Sequence, residues 1–152
     1  MNNLLSQADQ VGIIVSDLDA FLESMKELLG LDGFEIIEYP PEDIDPETSY
    51  YGQPNEFKVK MAFRDFGNFQ LEVVEPLEGQ SVFHDFLENH GPGLHHIRFT
   101  EEDLDTITEK LKEQGIQQIA SGKGAHGSSK WAYFDTAEAL QGLYIEIRKP
   151  KF

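Results

Sequence analysis

The sequence has 152 residues, 39% hydrophobic and 11% aromatic, which is enough to bury the core of one compact domain. Lys and Arg number 12 against 28 Asp and Glu, so the formal net charge is −16. This charge argues against nucleic acid as a partner, because binding to phosphates requires a basic surface. The chain has no Cys, so a metal site would have to use His, carboxylate or amide side chains.

No segment approaches the ~20 apolar residues of a membrane-spanning helix, and the first ten residues, MNNLLSQADQ, lack the basic and apolar regions of a leader peptide. We therefore expect a cytoplasmic protein with no membrane partner.

The first half of the chain begins with a β-like run, QVGIIV. A helix follows, with apolar residues at helical spacing from Leu18 to Leu29 and a stop at Gly30. Further strands are predicted at 34–39, 57–63 and 69–74. A Pro-rich acidic loop, YPPEDIDPETSYYGQP, interrupts this half, and a short helix is predicted at 81–89.

The second half repeats the order, with the strand HHIRFT, a helix from Leu104 to Leu111 and strands at 116–119, 130–135 and 143–148. At a constant offset of 86, six positions are identical between the two helical regions: Asp17/Asp103, Leu18/Leu104, Asp19/Asp105, Glu23/Glu109, Lys26/Lys112 and Glu27/Glu113. We interpret this as two related βαβββ modules, at about 8–76 and 93–150, joined by a linker helix at 77–92 within one α+β domain over 1–152.

Strand alternation places four polar residues on the face opposite the apolar residues of their strands. These residues are Gln10, Glu72, His96 and Glu146. If the apolar faces back onto the helices, the four side chains converge in one cleft. One imidazole, two carboxylates and one amide are ligands that suit Zn²⁺, Co²⁺, Ni²⁺ or Mn²⁺, so the pattern predicts a divalent metal site. The open alternative is that these residues lie on the solvated face of an antiparallel sheet.

Four motifs, LEVVEPLEGQSVFHDFL, GPGLHHIRF, GKGAHG and YIEI, occur in this order along the chain. They resemble the vicinal oxygen chelate superfamily and, within it, the methylmalonyl-CoA epimerases. The resemblance covers about 10–150 and implies a curved mixed sheet around a central metal cleft, with the helices on the outer face. It also implies metal ligands at Gln10, Glu72, His96 and Glu146, and a homodimer. Epimerases usually have His where Gln10 stands, whereas glyoxalase I uses a Gln/Glu/His/Glu set.

The implied reaction is proton abstraction next to a carbonyl through a metal-stabilised enolate, on a small carbonyl or thioester substrate. The resemblance suggests Glu146 and Glu56 as bases. Candidate substrate-binding residues are Lys58, Lys60, Arg98 and His126. Two other functions stay open, a glyoxalase I-like lyase and a non-catalytic module that binds a small ligand.

Overall fold

The computed structural model describes residues 3–151, so the ends of the domain expected over 1–152, residues 1–2 and 152, lie outside the described residues. The first half contains β1 (Ala8–Ile14), α1 (Leu18–Leu29), β2 (Glu35–Tyr39), β3 (Ser49–Tyr50), β4 (Gln53–Pro54), β5 (Lys58–Asp65) and β6 (Gln70–Glu78). The second half contains α2 (Val82–His90), β7 (Gly93–Thr100), α3 (Leu104–Glu113), β8 (Gln118–Lys123), β9 (Lys130–Phe134) and β10 (Tyr144–Lys149).

The strands of residues 3–151 form one mixed sheet in the order β2-β5-β6-β1-β7-β10-β9-β8-β3-β4. Strands β1 and β6 pair in parallel, as do β7 and β10, whereas β1 and β7 pair antiparallel. The halves β2-β5-β6-β1 and β7-β10-β9-β8 therefore meet along β1 and β7 with equivalent strands related by an approximate two-fold axis. The predicted α+β class with a curved mixed sheet is confirmed.

Helices α1 and α3 cover the outer face of the sheet, one on each half. Leu18 of α1 packs with Val73 of β6, and Leu104 of α3 packs with Phe134 and Ile147. Both helices begin at an Asp that caps the first turn: Asp17 accepts from the amide of Ala20 and Asp103 from that of Thr106.

Helix α2 closes one end of the concave face. Its apolar residues Val82, Phe83 and Phe86 pack with Ile14 and Val74, which point inward from β1 and β6. The concave face is thus apolar at this end, so the inner surface is only partly a polar cleft. Among the described residues, no helix combines the length and the apolar character that a membrane span requires.

The Pro-rich loop contains two short strands, β3 and β4, that the sequence did not predict. Its residues Ser49–Tyr50 form β3, which pairs with β8 of the other half. Nearby, the hydroxyl of Tyr39 donates to the carbonyl oxygen of Lys123, and Trp131 Nε1 lies 3.2 Å from the same hydroxyl. The two ends of the curled sheet are therefore tied together across the cleft.

Candidate metal centre and pocket

Three polar side chains converge on one nitrogen of a fourth, His96, at the middle of the sheet. Nε2 of His96 lies 3.2 Å from Oε2 of Glu146, 3.4 Å from Oε1 of Glu72 and 3.2 Å from Oε1 of Gln10. All four residues are buried, and the His96 ring is 0% exposed. The structure thus brings together the four residues that strand alternation had placed on one face.

The four adjacent central strands each supply one member of this cluster: β1 supplies Gln10, β6 Glu72, β7 His96 and β10 Glu146. In the register of these strands, Gly12 lies between Glu72 and His96. A Cβ on Gly12 would lie 1.9 Å from Cε1 of His96, so the ring occupies the space that the glycine leaves.

His95 and His96 do not point to opposite faces of β7, as neighbours in a regular strand would. The pairing of β1 with β7 slips by one residue between Gly12 and Ile13, and His95 is the extra residue of this bulge. A bulge interrupts the alternation of side chains, and Nδ1 of His95 lies 2.8 Å from Nδ1 of His96. Both rings are fully buried.

The carboxylates control the protonation of the cluster. Burial by itself lowers the pKa of His96, but hydrogen bonds and negative charge from Glu146 and Glu72 outweigh this effect and raise the pKa to about 9. The ring is therefore an imidazolium at neutral pH when no metal is bound. Burial, and then the charge of the neighbouring His96, lowers the pKa of His95 well below its usual value, so His95 is neutral.

Tyr133 is a further member that sequence reasoning missed. Its hydroxyl lies 3.5 Å from Nε2 of His96. Burial, reinforced by the charges of Glu146 and Glu72, raises the pKa of Tyr133 well above its usual value, so the phenol keeps its proton. The only sequence signal for this residue was the alternation of β9, which faces Tyr133 away from Ala132 and Phe134 and toward the concave side.

The donor set fits a divalent cation. Two ligands held at about 2.0–2.1 Å by one tetrahedral ion lie roughly 3.3 Å apart, which is close to the separations observed between Nε2 and the three oxygens. Oε1 of Glu72 is buried, and among the described residues its contact is the 3.4 Å ion pair with His96. Within residues 3–151, however, no three His, Asp or Glu side chains are already arranged to hold a metal ion. The carboxylates approach the imidazolium itself, so a cation would have to replace its proton.

The Gln10 amide has two alternative orientations. With Oε1 toward His96, its nitrogen donates to Oε1 of Gln70 at 2.8 Å. With the amide reversed, its nitrogen donates to Oε2 of Glu146 at 3.3 Å and its oxygen accepts from Nη1 of Arg98 at 3.0 Å. Only the first orientation offers an oxygen to a cation, so metal binding would fix the amide in that orientation.

A pocket of about 400 Å³ opens onto this cluster, and both Glu72 and Glu146 form part of its wall. Gln10 and His96 are buried and do not line it. Its apolar wall comes mainly from β2, β5 and β9, with Ile37, Val59, Met61, Phe63 and Trp131. The pocket thus combines an apolar enclosure with two carboxylates next to a buried imidazole, as ligand sites typically do.

Two arginines supply positive charge to the same pocket. Arg98 and Arg148 both line it from neighbouring strands, β7 and β10. Nε of Arg98 donates to Oδ1 of Asp9 at 2.9 Å, which anchors one edge of the guanidinium. Arg98 was a sequence-based candidate, whereas Arg148 was missed, although it follows Glu146 by two residues on the same strand face.

Of the other sequence-based candidates, only His126 lines the pocket. Nζ of Lys60 pairs with Asp19 of α1 at 2.8 Å, on the outer face of the sheet, and neither Lys58 nor Lys60 lines the pocket. Glu56 is exposed and also lies outside the pocket lining. His126, in the loop between β8 and β9, is exposed and does line the pocket.

Fold and site together define the class of protein. Residues 9–134 match the family described as the Glyoxalase/Bleomycin resistance protein/Dioxygenase superfamily, and the chain belongs to this superfamily. The resemblance inferred from the motifs is therefore confirmed.

Similar proteins and structures include epimerases. The ethylmalonyl-CoA/methylmalonyl-CoA epimerase of Cereibacter sphaeroides is 30% identical over 150 residues, covering 96% of this chain and 99% of that protein. The crystal structure of methylmalonyl-CoA epimerase from Mycobacterium tuberculosis matches with a TM-score of 0.68 and 25% identity, covering 100% of this chain and 93% of that one. An uncharacterized protein of Bacillus subtilis, YqjC, is 35% identical over 96 residues, covering 63% of this chain and 69% of that protein.

Proposed function

We propose that this chain is a divalent-metal-dependent epimerase that exchanges the proton next to the carbonyl of a thioester such as methylmalonyl-CoA. The single observation that carries the proposal is the convergence of two buried carboxylates and an amide on one imidazole nitrogen at the wall of an apolar pocket. Similarity to a methylmalonyl-CoA epimerase over nearly the whole chain supports the substrate class.

We assign the metal to Gln10, Glu72, His96 and Glu146. A divalent cation held there would supply a Lewis acid that stabilises negative charge developing on a substrate oxygen. The hydroxyl of Tyr133 keeps its proton and lies 3.5 Å from Nε2 of His96, so it could donate a hydrogen bond to a substrate oxygen bound at this site. Such donors contribute most when charge develops in a site from which water is excluded.

Proton removal is assigned to Glu146, because its carboxylate is buried in the cluster and also lines the pocket. Inversion requires a second group that returns a proton to the opposite face of the carbon. Glu35 meets this requirement better than Glu56. It lines the pocket and belongs to the cross-strand row Glu35–Phe63–Glu72. At the usual strand spacing, its Cα lies ~10 Å from that of Glu72, which leaves room for a substrate carbon between the two carboxylates.

The arginines suit the negative charge of such a substrate. Arg98 and Arg148 line the pocket close to the carboxylate cluster. A guanidinium binds a carboxylate through two parallel hydrogen bonds, so this pair would hold the free carboxylate of a malonyl-type thioester. His126 at the pocket mouth is positioned to contact the larger part of the substrate. We further propose a homodimer, which light scattering of the purified protein would test.

Deuterium exchange tests the function. Protein loaded separately with Zn²⁺, Co²⁺, Ni²⁺ or Mn²⁺ is incubated with 2-methylmalonyl-CoA in D₂O, and the mass of the thioester is followed. We expect a gain of one deuterium at the α-carbon, and its loss in Glu146→Gln. The matched control is Glu56→Gln, an exposed carboxylate outside the pocket, which should leave exchange unchanged. The absence of exchange with every metal would reject the proposal. Turnover of a glutathione hemithioacetal instead would favour the glyoxalase I alternative.

A further inference from the structure

His95 is a buried histidine that the proposed reaction does not use. Four aromatic rings surround it, those of Phe83, Phe86, Tyr133 and Tyr144, with centroids 5.0–5.6 Å from its own. Its Nε2 is buried and has no hydrogen-bond partner among the described residues. A histidine in this apolar setting leaves a polar atom unsatisfied, which a Phe or Leu at the same position would avoid.

The other ring nitrogen of His95 does have a partner. Nδ1 of His95 lies 2.8 Å from Nδ1 of His96. One of the two nitrogens must carry the proton of this hydrogen bond. With a cation bound through Nε2, the neutral ring of His96 keeps its one proton on Nδ1. His96 is then the donor of the 2.8 Å contact, and Nδ1 of His95 accepts.

The bulge is what makes this contact possible. In a regular strand, neighbouring side chains point to opposite faces. The one-residue slip opposite Gly12 and Ile13 instead leaves His95 without a cross-strand partner and brings its ring beside that of His96. The absence of a side chain on Gly12 leaves space for His96 on its other side. The local backbone thus accommodates both rings together.

We propose that His95 is a positioning residue, whose Nδ1 accepts the Nδ1 proton of His96 and so directs the lone pair of Nε2 in His96 at the metal. The inference rests on the proposed function, because it assigns His95 a role toward the metal of that site. Hydrogen-bond acceptors behind a metal-bound histidine orient the ring and make it a better ligand, and their loss typically lowers metal affinity by about 10–100-fold.

Two substitutions separate this role from packing. His95→Phe keeps an aromatic ring for the surrounding cluster but replaces the accepting nitrogen with a carbon. His95→Asn loses much of the ring but places its amide oxygen at about the position of Nδ1. Affinity for Zn²⁺ alone is measured for both by competition with a chromophoric chelator, and unfolding by urea in the metal-free state is measured in parallel.

We expect His95→Phe to lower Zn²⁺ affinity at least tenfold while unfolding near the wild-type urea midpoint. His95→Asn should bind Zn²⁺ within about threefold of wild type even though it unfolds at a lower urea concentration. A purely structural role predicts the reverse ranking, and wild-type Zn²⁺ affinity in His95→Phe would overturn the inference.

A measurement on the unsubstituted protein decides the matter if a variant does not fold. Long-range ¹H–¹⁵N spectra report which nitrogen of each histidine bears a proton. We expect His95 to be protonated at Nε2 only when Zn²⁺ is bound. Protonation of His95 at Nδ1 in the Zn²⁺-bound protein overturns the inference. Failure of the wild type to bind any divalent metal rejects the proposed function, whereas tight Zn²⁺ binding that is unchanged in His95→Phe overturns only the role of His95.

Discussion

A Cβ atom on Gly12 would lie 1.9 Å from Cε1 and 2.2 Å from Nε2 of His96. The ring that the metal assignment depends on therefore fills the volume of a side chain missing from the neighbouring strand. The close contact is with a fully buried ring, which has little freedom to move away.

Gly12→Ala should consequently displace the His96 ring. Overpacking of a dense interior typically costs about 1–3 kcal/mol, and we expect a loss of this size in the free energy of unfolding, together with weaker Zn²⁺ binding. Urea unfolding measures the first effect. The control is Gly12→Ala in a His96→Ala background, where the added methyl has room. An equal cost in both backgrounds would show that the ring is not what the methyl meets.

Removal of the imidazole should abolish tight metal binding. His96→Ala deletes the only nitrogen ligand of the proposed set and leaves the buried carboxylates of Glu72 and Glu146 without the imidazolium that pairs with both. We expect a loss of bound Zn²⁺ and, without metal, a protein about 3–5 kcal/mol less stable, as is usual when one member of a buried ion pair is removed. Elemental analysis and urea unfolding provide the measurements. Stoichiometric Zn²⁺ in folded His96→Ala would refute the assignment.

Substitution of Gln10 tests the fourth ligand. Imidazole is a stronger donor to Zn²⁺ than an amide oxygen, so Gln10→His should raise Zn²⁺ affinity and Gln10→Ala should lower it. Chelator titrations of the three proteins make the comparison. Coincident curves would mean that Gln10 keeps its oxygen toward Arg98 and takes no part in metal binding.

Metal binding should depend strongly on pH. The pKa of His96, raised to about 9 in the metal-free protein, means that its proton must leave before Nε2 can bind a cation. Because the folded metal-free state holds this proton below about pH 9, apparent Zn²⁺ affinity should rise roughly tenfold for each pH unit between 6 and 8. Titrations against a chelator of known pH dependence measure this. A flat profile over that range would show that His96 is not protonated in the metal-free site.

Removal of a positive charge should have different effects on the two faces of the sheet. Arg148→Met removes a guanidinium that lines the pocket and should raise KM for a malonyl-type thioester at least tenfold. Lys60→Met is the matched control, because this lysine pairs with Asp19 on the outer face, and it should leave KM unchanged. If KM rose in Lys60→Met but not in Arg148→Met, the substrate would bind on the outer face of the sheet, and our proposal would be wrong.

Much of the cluster could be predicted because strand alternation is a local property. In β6, for example, Leu71 and Val73 pack on the outer core while Glu72 points inward, as their order in the sequence requires. The same rule places Glu146 between the outward-facing Ile145 and Ile147. The repeat at an offset of 86 likewise indicated that Gln10 and His96 are equivalent, and the structure brings them within 3.2 Å.

Strand alternation was less informative for β5, because one face of this strand lines the pocket and the other packs against α1. Its apolar residues Val59 and Met61 face the pocket, while Lys60 faces α1, the reverse of the orientation assumed from the metal-bearing strands. An apolar face indicates burial but not which of two surfaces covers it, and here the pocket itself is apolar.

The sequence by itself determined the α+β class, the repeated order of elements and the four residues of the central cluster, because these depend on periodicity within single strands and helices. Only the tertiary structure decided the bulge at His95, the pairing of Ser49–Tyr50 with β8 and the entry of Glu35, Tyr133 and Arg148 into the pocket. A bulge is a slip between two strands, and a pocket wall is assembled from strands far apart in sequence. Both depend on inter-strand register, which no single segment encodes.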